Sequence, residues 1–594
     1  MKNKIEKQGL WAIIAPVKFE MRVAMLVSSI GTLSLLTSLM LLAFTLSHIL
    51  LGSTLTIFGI ELGFVNTILL LAIFTVIAFL SKFGSFAIAH LGAFRLEQIL
   101  RTQLSQHLAD VPLGYIIQNG TGALKKVIQN DVKTLHIFVA DSTPMIAKSI
   151  VAPIATLIIL LVIDYRLAVA SLIVLVLGFI AMSFAMKDSK ELREKYDKSQ
   201  SDINRAVIEF AQAMPVVRTF DDGTTSFKRY NDALIAFKNH LNHWMSISAF
   251  SSKLGILILS PLPTLLVVLI TGIILLNFGL LEASSFIIAL FLSTGMADSL
   301  MPLMWLNSHI KKAQASALKI QEVLNVKALV IAENPKEPSN FDIEFDEVSF
   351  KYDSVDKYAL ENISFRVKQG SVTALVGKSG AGKSTVAKLI PRFWDVNSGS
   401  IKIGEIDIRE ISSQTLMNTV SFVFQDTFLF NDTIYNNIKI ANENATKEDI
   451  VNACKAAQIH DFIETLPNKY ETIAGERGAN LSGGQKQRIT IARAILRDTP
   501  IIVLDEATAF ADPENEEEII KALANLTINK TVIMIAHRLS TIKNSDQIIV
   551  FDEGKISEVG KHDELLKSQG IYFSLWENYE MASLWNLEKG KDNE

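Results

Sequence analysis

A glycine-rich run in the second half of the chain has the spacing of a phosphate-binding loop. It matches the pattern G-x-x-x-x-G-K-[ST] and comprises Gly377, Lys378, Ser379, Gly380, Ala381, Gly382, Lys383, Ser384 and Thr385. The run follows the apolar segment 371–376 and opens a helical segment, so its backbone N–H groups can surround phosphate oxygens. We expect the Lys383 ammonium to reach the β- and γ-phosphates of ATP and the Ser384 hydroxyl to hold Mg²⁺.

Two carboxylates follow an apolar strand further along the chain. Residues 501–504 are Ile, Ile, Val and Leu, and Asp505 and Glu506 come directly after them. A buried parallel strand that ends in acids places them at the edge of an α/β sheet where ligands bind. We expect Asp505 to hold Mg²⁺ through water and Glu506 to polarise the attacking water as a general base.

The pentapeptide LSGGQ at residues 481–485 is the most specific motif. With it, the chain resembles an ATP-binding cassette (ABC) half-transporter of the exporter, or type IV, fold. The resemblance implies an ATPase and assigns a phosphate-binding role to Ser482, Gly483, Gly484 and Gln485. In that family these residues bind the γ-phosphate of ATP held by the opposite subunit, and a helix start with free N–H groups suits an anion. The resemblance therefore implies a dimer, formed either with a second copy or with a related half-transporter.

Further residues match motifs of this family one at a time. Tyr352 falls where the family stacks an aromatic ring on adenine. Gln425 matches the loop residue that senses Mg²⁺ and contacts the membrane domain, and His537 matches the histidine that contacts the γ-phosphate. The resemblance implies that Glu506, His537 and Gln425 are catalytic, and that Gln425 joins Ser384 and Asp505 as a Mg²⁺ ligand.

One motif departs from the family pattern. The family usually has S-A-L-D after the two acids, whereas residues 509–512 are Ala, Phe, Ala and Asp. Asp512 is retained, so we expect its contact across the dimer, and with it a role in nucleotide binding, to be kept. We expect the missing serine hydroxyl and the added Phe510 ring to affect the coupling of hydrolysis to transport rather than hydrolysis itself.

Short β-branched segments must position these motifs. They are residues 343–350, 371–376, 421–424, 501–504, 531–535 and 547–551. Helical stretches separate several of them, which predicts an α/β P-loop nucleotide-binding domain with partly parallel strands. We assign residues 341–585 to this cassette, 326–340 to a linker and 586–594 to a tail.

The first half of the chain has the long apolar runs of a membrane domain. Apolar runs cover residues 23–51, 64–89, 145–163, 167–186, 254–276 and 284–306. Each is near the ~20 residues that cross the hydrocarbon core as a helix, so we predict an α-helical six-span membrane domain over residues 1–325. We expect Pro261 and Pro263 to break the fifth helix, and Pro302 the sixth, because proline lacks an N–H donor.

Basic residues indicate the orientation of these spans. Lys and Arg are absent from the turns 52–63 and 277–283 and abundant in the loops after the second and fourth spans. We therefore predict a multi-pass protein of the inner or plasma membrane. The asymmetry of basic residues places its long loops, both termini and the cassette in the cytoplasm. We predict that these loops are helices that extend from the membrane into the cytoplasm. Their turn-like stretches 112–122 and 220–225 match the contact elements through which the family couples its two domains.

Composition excludes several classes of protein. Hydrophobic residues make up 49% of the 594 positions and charged residues only 20%, which indicates a membrane protein. The net charge of −4 gives no reason to expect a nucleic-acid partner. The single cysteine, Cys454, excludes an internal disulfide and a cysteine-based metal site.

The expected function is transport by alternating access, driven by ATP hydrolysis. The stretch 509–516 and Asp298 resemble a subgroup that imports iron–siderophore complexes such as those of yersiniabactin or mycobactin, so the small-molecule substrate is expected to be a ferric siderophore. The alternative is export of a drug, lipid or peptide, as in most of the family. An ATP-gated channel or regulator is a more distant alternative, because no inserted regulatory segment interrupts the chain.

Overall fold

A computed structural model describes residues 9–52, 55–57, 60–186, 189–220, 225–330, 332–352, 355–505, 513–535 and 539–591. The chain forms two compact units. The first consists of Met1–His107 and Gly122–Val326, and the second of Leu108–Thr121 and Lys327–Glu594. The second unit therefore contains the cassette sequence together with a short segment from the first half of the chain.

Helices make up most of the described chain up to residue 326. They are α1 (Leu10–Ile13), α2 (Lys18–Leu51), α3 (Phe64–Asp110), α4 (Leu113–Lys126), α5 (Val132–Ile137), α6 (Thr143–Ile163), α7 (Tyr165–Met186), α8 (Ser189–Phe220), α9 (Thr225–Ile258), α10 (Pro261–Asn277) and α11 (Ala283–Leu324). π-Helical turns at Val127–Asp131 and Phe138–Ser142 lie between α4 and α6. A helical membrane domain is thus confirmed.

The number of spans is a separate matter. Within the described residues, three helical stretches are long and apolar enough to cross a membrane, namely Ala15–Leu51, Phe64–Asp110 and Leu113–Ile163. Three shorter apolar helices follow, at Tyr165–Ala181, Pro261–Asn277 and Ala283–Met296. Every predicted span overlaps a helix, but length and composition support only the first three as complete spans, so the count of six stays a prediction.

The prolines act differently at their two locations. Helix α9 ends at Ile258 and α10 begins at Pro261, with Ser260 as its N-cap. Pro261 tolerates this place because the first helical residue needs no N–H partner, and the predicted break of the fifth helix is confirmed. Helix α11, by contrast, continues through Pro302 from Ala283 to Leu324, so the predicted break there is wrong. Long membrane helices can absorb a proline where neighbouring groups take over the lost backbone bond.

The segment after α2 contains two short strands that the sequence analysis missed. They are β1 (Leu55–Ile57) and β2 (Ile60–Leu62), which pair in antiparallel fashion. They were missed because the segment was interpreted only as a connection between spans.

The cassette is an α/β structure. Its strands are β3 (Ile343–Phe350), β4 (Leu360–Val367), β5 (Val372–Gly377), β6 (Ser398–Ile403), β7 (Ile406–Asp407), β8 (Val420–Val423), β9 (Ile501–Asp505), β10 (Thr531–Ile535), β11 (Gln547–Asp552) and β12 (Lys555–Gly560). Its helices are α12 (Lys383–Leu389), α13 (Ser413–Thr419), α14 (Ile434–Lys439), α15 (Lys447–Ala456), α16 (His460–Thr465), α17 (Gly483–Arg497), α18 (Pro513–Thr527), α19 (His562–Lys567) and α20 (Ile571–Lys591). All six predicted strands are present within a residue or so of their predicted bounds.

Two sheets organise the cassette. A six-stranded sheet has the order β12-β11-β5-β10-β9-β8, and a four-stranded sheet has the order β4-β3-β6-β7. Strands β11, β5, β10, β9 and β8 pair in parallel, so their carboxyl ends meet at one edge. All five residues of β9 are buried, which explains its uninterrupted apolar sequence before Asp505.

The segment 108–121 packs within the cassette unit. The Gly114 N–H donates to the Phe393 carbonyl over 3.0 Å, and the Leu329 N–H donates to the Asp110 carbonyl over 3.1 Å. Helix α4 is interrupted by Gly120, whose φ of 73° lies in the left-handed region, just before the chain returns to the first unit. The stretch 112–122 was expected to be turn-like, but it is helical from Leu113 onward apart from Gly120. Its residues up to 121 do pack with the cassette, as expected, and their role in coupling stays a prediction. The second stretch, 220–225, lies largely outside the described residues.

A buried amide organises the loop before α14. The Asn437 side chain accepts from the Phe430 N–H over 2.8 Å and from the Arg493 guanidinium over 2.7 Å. Its amide nitrogen donates to the Phe430 and Thr433 carbonyls over 3.0 Å each. Burial lowers the pKa of Arg493 to about 10.

We therefore expect Asn437→Ala to destabilise the cassette. Loss of these partners leaves buried groups unpaired, at a cost of about 2 kcal/mol, which lowers the unfolding midpoint of a domain of this size by about 4–8 °C. Differential scanning calorimetry of the purified protein measures the shift. The neighbouring Asn436→Ala variant is the matched control, because the Asn436 side chain is exposed and its amide donates to the Asp432 carboxylate over 2.9 Å. Equal shifts in the two variants would contradict this assignment.

Candidate nucleotide site

The phosphate-binding loop begins at the end of β5 and leads into α12. Gly377 has a φ of 147° and Gly382 a φ of 104°. A methyl group built on Gly377 would overlap the carbonyl oxygen of Phe551, and one on Gly382 would lie 2.8 Å from the carbonyl oxygen of Ala359. Only glycine fits these two positions, so the loop can pass close to β11 and keep its backbone N–H groups available for phosphate.

Lys383 is held inside this loop. Its side chain is buried, and its ammonium donates to the carbonyls of Gly377 and Lys378 over 2.7 and 2.9 Å. A buried ammonium among backbone dipoles is positioned where phosphate oxygens would approach the loop.

The metal-binding candidates meet across the sheet edge. The Ser384 hydroxyl donates to the Asp505 carboxylate over 3.5 Å, and Asp505 is buried at the end of β9. These two residues are 121 positions apart in sequence. A hydroxyl and a carboxylate are oxygen ligands of the kind that Mg²⁺ prefers, so the donor set fits this ion.

Tyr352 lies against the start of α12. Its hydroxyl shares a hydrogen bond of 3.0 Å with the Thr385 hydroxyl. Burial raises the pKa of Tyr352, and the bond with Thr385 opposes that shift in part, so the phenol stays neutral at physiological pH. The tyrosine predicted to stack on adenine is thus hydrogen-bonded to the last residue of the phosphate loop.

The sequence analysis missed Trp394. Its indole contacts the ring of Tyr352 edge-on, with a centroid separation of 5.3 Å, and the ring of Phe350 at a tilt of 57°, with a centroid separation of 5.9 Å. No motif marks this position. The one available signal was a large aromatic residue a few positions after the phosphate-loop helix.

The LSGGQ motif begins the long helix α17. Ser482 is the N-cap: it accepts from the Gln485 N–H over 3.3 Å, and its own N–H donates to the Gln485 side chain over 2.9 Å. Ser482 and Gly483 are exposed, whereas Gly484 is buried. The helix start is therefore a preformed, accessible group of N–H donors, which is what an anion requires.

Two stretches of the chain match family descriptions. Residues 360–509 match the family described as ABC transporter, and residues 23–300 match the ABC transporter transmembrane region. The chain belongs to the ABC transporter family. With one transmembrane region fused to one cassette, it has the organisation of a half-transporter.

Several characterised ABC transporters are similar to this chain. The mycobactin import ATP-binding/permease protein IrtA of Mycolicibacterium smegmatis is 38% identical over 500 residues, which are 83% of this chain and 57% of IrtA. The chain spans little more than half the length of this relative. The ATP-dependent lipid A-core flippase of Desulfotalea psychrophila is 35% identical over 485 residues, 80% of this chain and 83% of the flippase.

A solved structure extends the similarity over both regions. The structure of a bacterial Atm1-family ABC exporter with ATP bound superposes with a TM-score of 0.71 and 26% identity. It covers 96% of this chain and 98% of the exporter chain. The exporter fold is therefore shown.

The remaining predicted residues of the ABC cassette are only partly located. Gln425 is exposed two residues after β8. Glu506, Asp512 and His537 lie outside the described residues. Strands β9 and β10 end side by side, with Asp505 paired with Ile535.

The Ser384–Asp505 contact predicts a specific effect on Mg²⁺ dependence. We expect Ser384→Ala to raise the Mg²⁺ concentration for half-maximal ATPase activity about tenfold or more, because one oxygen ligand is lost. Titration of activity with Mg²⁺ at saturating ATP measures this. Ser379→Ala is the control, because Ser379 is an exposed residue of the same loop whose contribution is its backbone. An unchanged Mg²⁺ requirement in Ser384→Ala would remove Ser384 from the metal site.

Proposed function

We propose that this ABC transporter moves a substrate across the inner or plasma membrane by alternating access, driven by ATP hydrolysis. The observation that carries the proposal is the meeting of the phosphate loop with Asp505 at the edge of the parallel sheet. Because the membrane region is fused to the cassette, the energy of ATP hydrolysis can change the arrangement of the membrane helices. The orientation inferred from the basic residues places the cassette and both termini in the cytoplasm.

The proposed roles of the site residues combine the described geometry with the sequence motifs to which the residues belong. Residues 377–385 bind the phosphates of ATP through backbone N–H groups and the Lys383 ammonium, and Tyr352 contacts the base. Ser384, Asp505 and Gln425 hold Mg²⁺, which when bound supplies positive charge beside the phosphate oxygens. Glu506 accepts a proton from the attacking water, and His537 orients the reacting groups.

The proposed functional state is a dimer. The N–H groups at the exposed start of α17 suit a phosphate, and the family resemblance supplies it from the opposite subunit, with Ser482, Gly483, Gly484 and Gln485 as ligands. Asp512 is proposed to contact the partner across the same interface. The partner is a second copy or a related half-transporter. ATP between two cassettes holds them together, hydrolysis releases them, and the membrane helices change between two arrangements.

The general-base assignment has a direct test. We expect Glu506→Gln to bind ATP but to hydrolyse it at least about a hundredfold more slowly, because the amide cannot accept the proton. In the presence of ATP, this variant should then accumulate as closed dimers, which native mass spectrometry detects. Glu517→Gln is the matched control, since Glu517 is an exposed glutamate of α18 that pairs with Lys521. Normal turnover in Glu506→Gln would refute the assignment.

We propose a ferric siderophore as the imported substrate. The support is the similarity to IrtA, whose name describes mycobactin import and whose identity of 38% exceeds the 35% of the lipid A-core flippase. The sequence features that suggested this subgroup are the stretch 509–516 and Asp298. Residues 509–512 lie outside the described residues, as do the side chains of residues 513–516 and of Asp298.

Export of a lipid or drug is the second candidate. It is favoured by the fold of the Atm1-family exporter and by similarity to the lipid A-core flippase over 83% of the flippase. A putative multidrug export protein of Bacillus subtilis, YgaD, is also 33% identical.

Transport in oriented vesicles separates the two candidates. We expect right-side-out membrane vesicles loaded with ATP to accumulate ⁵⁵Fe-labelled mycobactin, and Glu506→Gln vesicles to accumulate none, because import requires hydrolysis. Absence of uptake by the wild type, together with ATP-dependent accumulation of a labelled lipid or dye by inside-out vesicles, would establish export instead.

A further inference from the structure

Trp394 lies between the proposed base site and the segment 108–121. On one side its indole packs edge-on against Tyr352, which is bonded to Thr385 of the phosphate loop. The neighbouring ring of Phe350 contacts Tyr352 at 4.9 Å, so the tyrosine is packed against two aromatic rings. Edge-to-face pairs have preferred geometries, so a displacement of one ring is transmitted to the next.

Gly114 contacts the indole of Trp394 on the other side. A methyl group built on Gly114 would overlap the indole ring system, so the backbone of the segment lies directly on it. The Gly114 N–H also donates to the carbonyl of Phe393, the residue before Trp394. At Gly114 the segment has no side chain that could change its rotamer and accommodate a movement of Trp394. Any movement of residues 393–394 therefore displaces the backbone of the segment.

Both ends of the segment continue into helices of the first unit. It begins where α3 ends, and it returns to that unit just after the interruption of α4 at Gly120. A displacement of its backbone is thus passed along the chain into the membrane region.

We propose that Trp394 is a positioning residue through which the bound nucleotide base acts on the segment 108–121. The inference rests on the proposed function, because it requires ATP at the phosphate loop with its base at Tyr352. A base that stacks on Tyr352 restricts that ring, the ring restricts Trp394, and Trp394 sets the position of Gly114. The consequence is that the base, and not only the phosphates, contributes to coupling.

A second route could carry a signal from the phosphates instead. Phe393 stacks on Phe424 with a centroid separation of 5.9 Å and an interplanar angle of 7°, and Gln425 follows Phe424. The two routes converge on residues 393–394 but begin at different parts of ATP. A ligand that has the phosphates and lacks the base therefore distinguishes them.

Hydrogen exchange of the full-length protein tests the proposal. The readout is the exchange rate of a peptide that covers residues 113–119 and includes the Gly114 N–H. We expect AMP-PNP with Mg²⁺ to slow this exchange about threefold or more, and saturating tripolyphosphate with Mg²⁺ to leave it nearly unchanged. Equal protection by both ligands would overturn the proposal, because the signal would then come from the phosphates.

Variants assign the effect to the indole. We expect Trp394→Ala to lose the AMP-PNP effect on residues 113–119 while its affinity for a fluorescent ATP analogue stays within about threefold, and Trp394→Phe to keep at least half of the effect. Gly114→Ala should lose it too, and the double variant with Trp394→Ala should show no additional loss, since both substitutions break one contact. Gly122→Ala is the control, because a methyl group there meets no other atom within 4 Å.

The outcomes separate the inference from the function beneath it. A normal response in Trp394→Ala, or a loss of nucleotide affinity shared by Trp394→Ala and Trp394→Phe, overturns the positioning role and leaves the transporter assignment intact. Failure of the wild type to bind the fluorescent ATP analogue overturns the proposed function itself.

Discussion

The register of the parallel strands in the cassette determines where the phosphate-binding groups lie. Ile535 pairs with Asp505, and Phe551 pairs with Gly377, so three strands end beside the phosphate loop. Because side chains alternate along a strand, a shift of one residue in β9 would turn Asp505 away from Ser384. The buried apolar sequence of β9 resists such a shift, since it would change which face each residue presents. Hydrophobic packing thereby fixes the place of a polar site.

The phosphate loop is as tightly constrained by its surroundings as by its own sequence. Gly377 approaches the carbonyl of Phe551, and Gly382 approaches that of Ala359, so neither position can accept a side chain. The same compact unit contains the segment 108–121, which joins the cassette through backbone hydrogen bonds to Phe393 and Leu329. The candidate nucleotide site and the segment that continues into the membrane helices therefore lie within one compact unit.

The predictable elements were those with a repetitive or uninterrupted pattern. Three of the six predicted strands, residues 501–504, 531–535 and 547–551, are almost entirely apolar, and the membrane helices have long apolar runs. Strands β4, β6 and β12 contain many polar residues, and in β12 no residue is fully buried, so they were missed. The predicted break at Pro302 was wrong because the intrinsic effect of proline is local, whereas the continuity of α11 depends on the packing around it.

The sequence by itself determined the chemistry of the nucleotide site, because phosphate is bound by a contiguous run of backbone groups and adjacent side chains. Gly377–Thr385, Asp505 and LSGGQ could be recognised for that reason. The tertiary structure alone decided which distant residues touch. Tyr352 meets Thr385 and Trp394, and Trp394 meets Gly114, which is 280 positions away along the chain. Such contacts leave no periodic or local trace in a sequence, since packing complementarity depends on the complete three-dimensional arrangement.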